Sequence, residues 1–226
     1  MIQLGPILLA LIYAIVMFRF SAWRLSRQLD QTSSRLQDAE LQAQIDKMAT
    51  AMQVDDIPVY VQDIPTINGL AAPDGRVFIT QGFIDKYKLG EVSAGEIASV
   101  IAHELGHVAL GHSRKRMIDF SGQNAMRVAL GAVLSRFLPG IGMIIANGLG
   151  SLLMAKLSRS DEFEADAYAT ALLMQSGLSV DAQISLFEKL DKLVCNASIS
   201  PDWLLSHPKA QDRIGEIRNN VYRWRN

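Results

Sequence analysis

The chain has 226 residues and a formal net charge of −1, with 22 lysines and arginines against 23 aspartates and glutamates. That length holds one sizeable core plus a tether, and without a basic excess no nucleic acid is expected as a partner. Cys195 is the only cysteine, so an intramolecular disulfide and a thiolate-rich metal site are both excluded, and any metal must be held by histidine and carboxylate.

Residues 1–18 carry no charge, and Arg19, Arg24, Arg27 and Arg35 follow them. A spanning helix needs about 20 apolar residues, a length this run reaches if Arg19 snorkels to the interface. A cleaved leader would place its positive charge ahead of the run instead. The expectation is an uncleaved, single-pass anchor over residues 1–23 in contact with the lipid bilayer. The positive-inside rule then favours the cytoplasmic side for the rest of the chain, with the periplasmic or another face as the alternative.

Residues 24–52 read as a polar helical linker, with Leu25, Leu29, Leu36, Leu41, Ile45 and Met48 at loosely helical spacing. Residues 59–61 read as a short strand, 65–75 as turns, and 76–80 as the clearest strand in the chain. Beyond residue 80 the pattern is helical. These elements predict an α+β domain over residues 53–226, mostly helical with a small sheet.

His103-Glu104-Leu105-Gly106-His107 forms H-E-x-x-H inside a helical run of small and apolar residues. Residues four apart share a helix face, so both imidazoles can reach one metal ion. Glu104 then stands beside that metal as a general base toward water. The competing reading is a chance match on a solvated helix surface, which the apolar neighbours disfavour.

A third ligand is needed, and there are only four histidines. The pattern H-E-x-x-H-x-x-G-x-x-H would require glycine at 110 and histidine at 113, but Leu110 and Gly111 precede His112. His112 therefore reads as a residue behind the ligands or at the helix end, with Gly111 closing the helix. A better candidate lies in the segment 158–169, SRSDEFEADAYA. Ser160 reads as the helix N-cap and the acidic first turn suits the helix dipole. Glu162 and Asp166, four apart, share a face: Glu162 would ligate, and Asp166 would accept the N–H of a ligand histidine and fix its tautomer. An acidic solvated helix start is the plainer alternative. Ala165, Ala167 and Ala169 argue instead for close packing on another helix.

From about residue 50 to 218 these motifs resemble the HtpX-like and CAAX-prenyl-protease-like zinc metallopeptidases, the metallopeptidase family numbered forty-eight. HELGHVALGH at 103–112 looks like that family's active-site helix, and Glu162 falls on its zinc-binding glutamate. NGLAAPDG at 68–75 is similar to its strand signature, with Gly69 where the family usually has alanine. HPKAQDRI at 207–214 looks like its C-terminal element. The resemblance implies a gluzincin fold, one Zn2+ per chain and peptide-bond hydrolysis. It also implies that His207 stabilises an oxyanion with Arg213 supporting it, although His207-Pro208 also suits a plain helix start. Residues 77–80 would be a sheet edge to which a polypeptide substrate adds as a strand.

Residues 137–155 form a nineteen-residue uncharged run. A single membrane crossing there would part Glu162 from His103 and His107. The run is therefore expected as a bent, glycine-rich hairpin packed in the core, as a flap that dips into the membrane surface, or as a lid over the cleft. The function expected is a membrane-anchored zinc endopeptidase in quality control of misfolded or membrane-associated proteins. The alternative is a zinc-binding, chaperone-like module with little proteolysis. A prenyl-protein protease proper is disfavoured, because one anchor makes a poor chamber for a lipidated peptide.

Overall fold

The computed structural model describes residues 4–72, 74–112, 115, 142–195 and 210–225. Seven helices and four strands lie among them: α1 (Leu4–Thr32), β1 (Ser33–Arg35), α2 (Ala39–Met52), β2 (Val59–Gln62), β3 (Gly69–Ala71), β4 (Val77–Thr80), α3 (Gln81–Lys88), α4 (Ala94–Ala109), α5 (Gly142–Gln175), α6 (Val180–Cys195) and α7 (Ala210–Arg225). This is the mostly helical α+β architecture with a small sheet that the sequence predicts. Among the described residues no helix is long and apolar enough to cross a membrane.

The stretch 24–52, expected to be wholly helical, divides into the end of α1, the strand β1 and the helix α2. Asp38 starts α2 by accepting the Leu41 N–H at 2.9 Å, and the helix buries Leu41, Ile45, Met48 and Ala49 in the main core. In α1, Ile12, Tyr13, Ile15, Val16, Phe20 and Trp23 are exposed. Its second half is held to the sheet by Arg76, which bonds Asp30 at 2.6 Å and Ser26 at 2.8 Å.

The sheet runs in the order β1-β2-β4-β3. β4 pairs in parallel with β2 and antiparallel with β3, and all four of its residues are buried. The expectation of an edge at Val77–Thr80 is therefore corrected: β4 lies inside the sheet, because the three-residue β3 covers its outer side. Among the described residues, the edge strand on the side of α4 is Gly69–Ala71.

Residues 142–175 form one unbroken helix, α5. This corrects one expectation: Ser160 is an interior residue of α5 and not an N-cap. The reason is local. No proline follows Pro139 before residue 175, and glycines at 148 and 150 cost a helix only about 1 kcal/mol each. Residues 137–141 lie outside the described residues.

α4 is fixed at its start with unusual thoroughness. Ser93 and Glu96 form a reciprocal capping box. The Glu96 carboxylate also accepts from Ser185 Oγ at 2.7 Å and Lys189 Nζ at 2.8 Å, which ties α4 to α6. Burial pushes the Glu96 carboxyl up, yet these hydrogen bonds outweigh it and hold the group below its ordinary value. As pH falls, the unfolded chain takes up this proton first. The stabilisation is thus full above the ordinary glutamate pKa of about 4.3 and fades as pH drops through the lower folded-state value. Glu96→Ala is expected to destabilise the fold by about 3 kcal/mol at neutral pH, the sum of a lost cap and lost charged hydrogen bonds. Urea denaturation of wild type and variant would read that difference and its shrinkage in acid.

Candidate metal centre

Helix α4 carries His103, Glu104 and His107 in its last two turns, all about 3% exposed. The four-residue spacing sets both imidazoles on one face, with His103 Nε2 and His107 Nε2 3.1 Å apart. Facing them from α5 is Glu162, fully buried, with Oε2 3.3 Å from His103 Nε2 and Oε1 3.3 Å from His107 Nε2. One donor atom from each of the three residues lies within 4.8 Å of the others. Two imidazole nitrogens and one carboxylate oxygen, with no thiolate, are a donor set that suits zinc and leaves a fourth position open. The residues present fit the ion.

The two helices approach closely because of small residues at the crossing. A β-carbon added at Gly106 would lie 2.9 Å from the Ala165 carbonyl oxygen and 3.0 Å from its Cα, so only glycine permits this separation. Gly111, with φ +72°, follows the end of α4 at Ala109.

Behind His103 stands a buried charged pair. His103 Nδ1 lies 2.9 Å from Asp166 Oδ1. Asp166 in turn accepts from Arg213 Nε at 2.6 Å and Nη2 at 2.7 Å. Arg213, on α7, is 0% exposed, stacks over the Phe187 ring at 4.3 Å and reaches within 3.6 Å of Glu162. Burial pushes the Asp166 carboxyl up, but the Arg213 guanidinium and, to a lesser degree, His103 together offset it and hold the group below its ordinary value. For His103 burial acts downward, and its bonds to Asp166 and Glu162 overcome this to raise the imidazole to about 9 in the absence of metal.

The structure thus brings His103, His107, Glu162, Asp166 and Arg213 into one buried cluster with Glu104 beside it. Arg213 sits against Asp166, within 3.6 Å of Glu162. His207 lies outside the described residues. The edge strand β3 passes close to Glu104: a β-carbon at Gly69 would come 3.1 Å from Glu104 Oε1 and 2.9 Å from Val100 Cγ1. Glycine here, where the resembling family usually has alanine, gives that edge its close approach to the site.

Asp161 and Glu164 have a role at the site that the sequence alone does not show. His112, 3% exposed, has its Nδ1 3.0 Å from His107 Nδ1 and its Nε2 3.8 Å from Asp161 Oδ1 and 3.4 Å from Glu164 Oε2. The i, i+3 spacing of Asp161 and Glu164 was a usable signal: it gives α5 a second acidic face beside the 162/166 one.

A family model described as "Peptidase family M48" matches residues 35–221. Among curated relatives, the chain is 33% identical over 159 residues to the metalloprotease LoiP of Escherichia coli (strain K12), covering 69% of this chain and 59% of that protein. It is 34% identical over 161 residues to the metalloprotease YcaL of the same organism, covering 69% and 58%. It is 31% identical over 165 residues to that organism's beta-barrel assembly-enhancing protease, covering 70% of this chain and 33% of the relative. The chain therefore spans well under two thirds of the length of the relatives it matches.

Proposed function

Because the chain belongs to peptidase family M48, we propose that it is a zinc-dependent endopeptidase cleaving unfolded or extended polypeptides at a membrane surface. The observation that carries the proposal is the convergence of His103, His107 and Glu162 within 4.8 Å, with Glu104 buried on the same helix.

His103, His107 and Glu162 would hold the metal. Zinc, when bound, acts as a Lewis acid toward a peptide carbonyl and acidifies water. Glu104 takes the proton of the attacking water and hands it to the leaving amine. Asp166 holds His103 with its Nδ1 protonated, so that Nε2 offers its lone pair inward. Arg213 keeps Asp166 ionised and is a positioning residue in this scheme, while His207 is proposed as the oxyanion donor from the family resemblance alone. A substrate strand would add to the β3 edge at Gly69–Ala71, which is supported by the short distance from Gly69 to Glu104.

The membrane part of the proposal rests on the uncharged run 1–18, the arginines after it, and the exposed Phe20 and Trp23 at the level where aromatic side chains meet headgroups. We assign residues 1–23 to a single-pass anchor, 24–52 to the segment that leaves it and packs β1 and α2 onto the domain, and 53–226 to the metallopeptidase domain on the cytoplasmic side. Quality control of membrane-associated proteins is the role proposed, in keeping with a relative named for enhancing β-barrel assembly.

The test is metal removal. Purified chain is expected to cleave an unfolded polypeptide, to lose that cleavage on dialysis against a chelator, and to regain it with one equivalent of zinc. Cleavage that survives complete removal of metal would refute the proposal.

A further inference from the structure

The two ligand histidines are backed differently. His103 leans on a carboxylate that is itself paired with an arginine. His107 leans on another imidazole, His112, at 3.0 Å between Nδ1 atoms. A contact between two Nδ1 atoms works only if one carries a hydrogen and the other a lone pair. His107 Nε2 points at Glu162 and His103 Nε2, so metal binding requires its lone pair there. Its hydrogen must then be on Nδ1, and His112 Nδ1 must accept it. The remaining hydrogen of a neutral His112 is consequently on Nε2, directed at Asp161 and Glu164.

We infer that His112 is the positioning residue of the zinc ligand His107: by accepting its Nδ1–H, it fixes the tautomer that presents Nε2 to the metal. Two features support a built arrangement over incidental packing. His112 is held at the end of α4 by the turn at Gly111, whose φ of +72° lies in the left-handed region that favours glycine. Its far nitrogen meets two carboxylates supplied three residues apart by α5, the helix that also supplies Glu162. Asp161 is in turn 3.4 Å from Lys115. The polar chain therefore runs from the α5 carboxylates through His112 to His107, and α5 braces both ligand histidines as well as ligating.

The inference rests on the zinc reading, and its test separates the two. Zinc dissociation constants are measured on the full chain by chelator competition, with Co2+ substituted to report ligand geometry from its visible absorption. His112→Phe keeps the bulk and removes the acceptor; it is expected to weaken zinc binding roughly 10–100-fold and to alter the Co2+ spectrum. His112→Asn, whose Oδ1 can stand where Nδ1 stands, is expected to restore affinity to within a few-fold of wild type. A positioning role is overturned if His112→Phe binds zinc as wild type does, or if His112→Asn is as weak as His112→Phe. If His112→Phe does not fold, long-range 1H–15N spectra of the zinc-loaded wild type decide. Protons at His107 Nδ1 and His112 Nε2 support the inference, and a proton at His112 Nδ1 overturns it. A wild type that binds no zinc overturns the metal reading and this role together.

Discussion

Glu104→Gln is expected to retain one zinc per chain and to lower kcat/KM for an unfolded polypeptide by roughly 10²–10⁴-fold, the range a positioned general base supplies. Glutamine matches glutamate in shape, so α4 and the two ligand histidines stay in place. What it lacks is a basic oxygen. Glu104 is 3% exposed and follows His103 directly, so no bulk buffer group can substitute for it at the reacting water. Zinc content by mass spectrometry and turnover on the same sample separate the two effects. A variant that holds zinc and loses less than tenfold in turnover would mean that another group moves the proton.

Glu162→Ala is expected to empty the site. Zinc sites release on the order of 10–16 kcal/mol on binding; losing one protein ligand of three is estimated to remove about 4 kcal/mol, or roughly 10³-fold in affinity. Electrostatics push the same way. Arg213 lies 3.6 Å from Glu162, and without the Glu162 carboxylate its positive charge would face the incoming cation less compensated. Removing a ligand should therefore weaken binding well beyond the 10–100-fold expected for a residue behind the ligands. Equal zinc affinity in wild type and variant would show that Glu162 is not a ligand.

The site was legible in the sequence to the extent that it is periodic. His103 and His107, and Glu162 and Asp166, are each four apart, and helical geometry alone puts each pair on one face. What was not legible depends on neighbours distant in the chain. β3 is three residues long and carries little strand signal, yet it covers β4 and moves the sheet edge from Val77–Thr80 to Gly69–Ala71. Ser33–Arg35 is equally short and sits between helical patterns, so its pairing with β2 was invisible. Ser160 carries a cap residue's chemistry, but a cap acts only where a helix starts, and α5 starts 18 residues earlier. The part played by Asp161 and Glu164 depends on His112, which lies far from them in the chain. Arg213 was read through a motif; that its charge is buried against Asp166 follows only from how α7 packs on α5.

The central claim is that one zinc ion is held by two imidazoles and a carboxylate. Zinc K-edge X-ray absorption on the purified chain addresses it most directly. The account predicts a stoichiometric metal with two imidazole nitrogens at about 2.0–2.1 Å, oxygen completing the shell and no sulfur. A chain without bound zinc, a sulfur scatterer near 2.3 Å, or a single imidazole in the shell would contradict it.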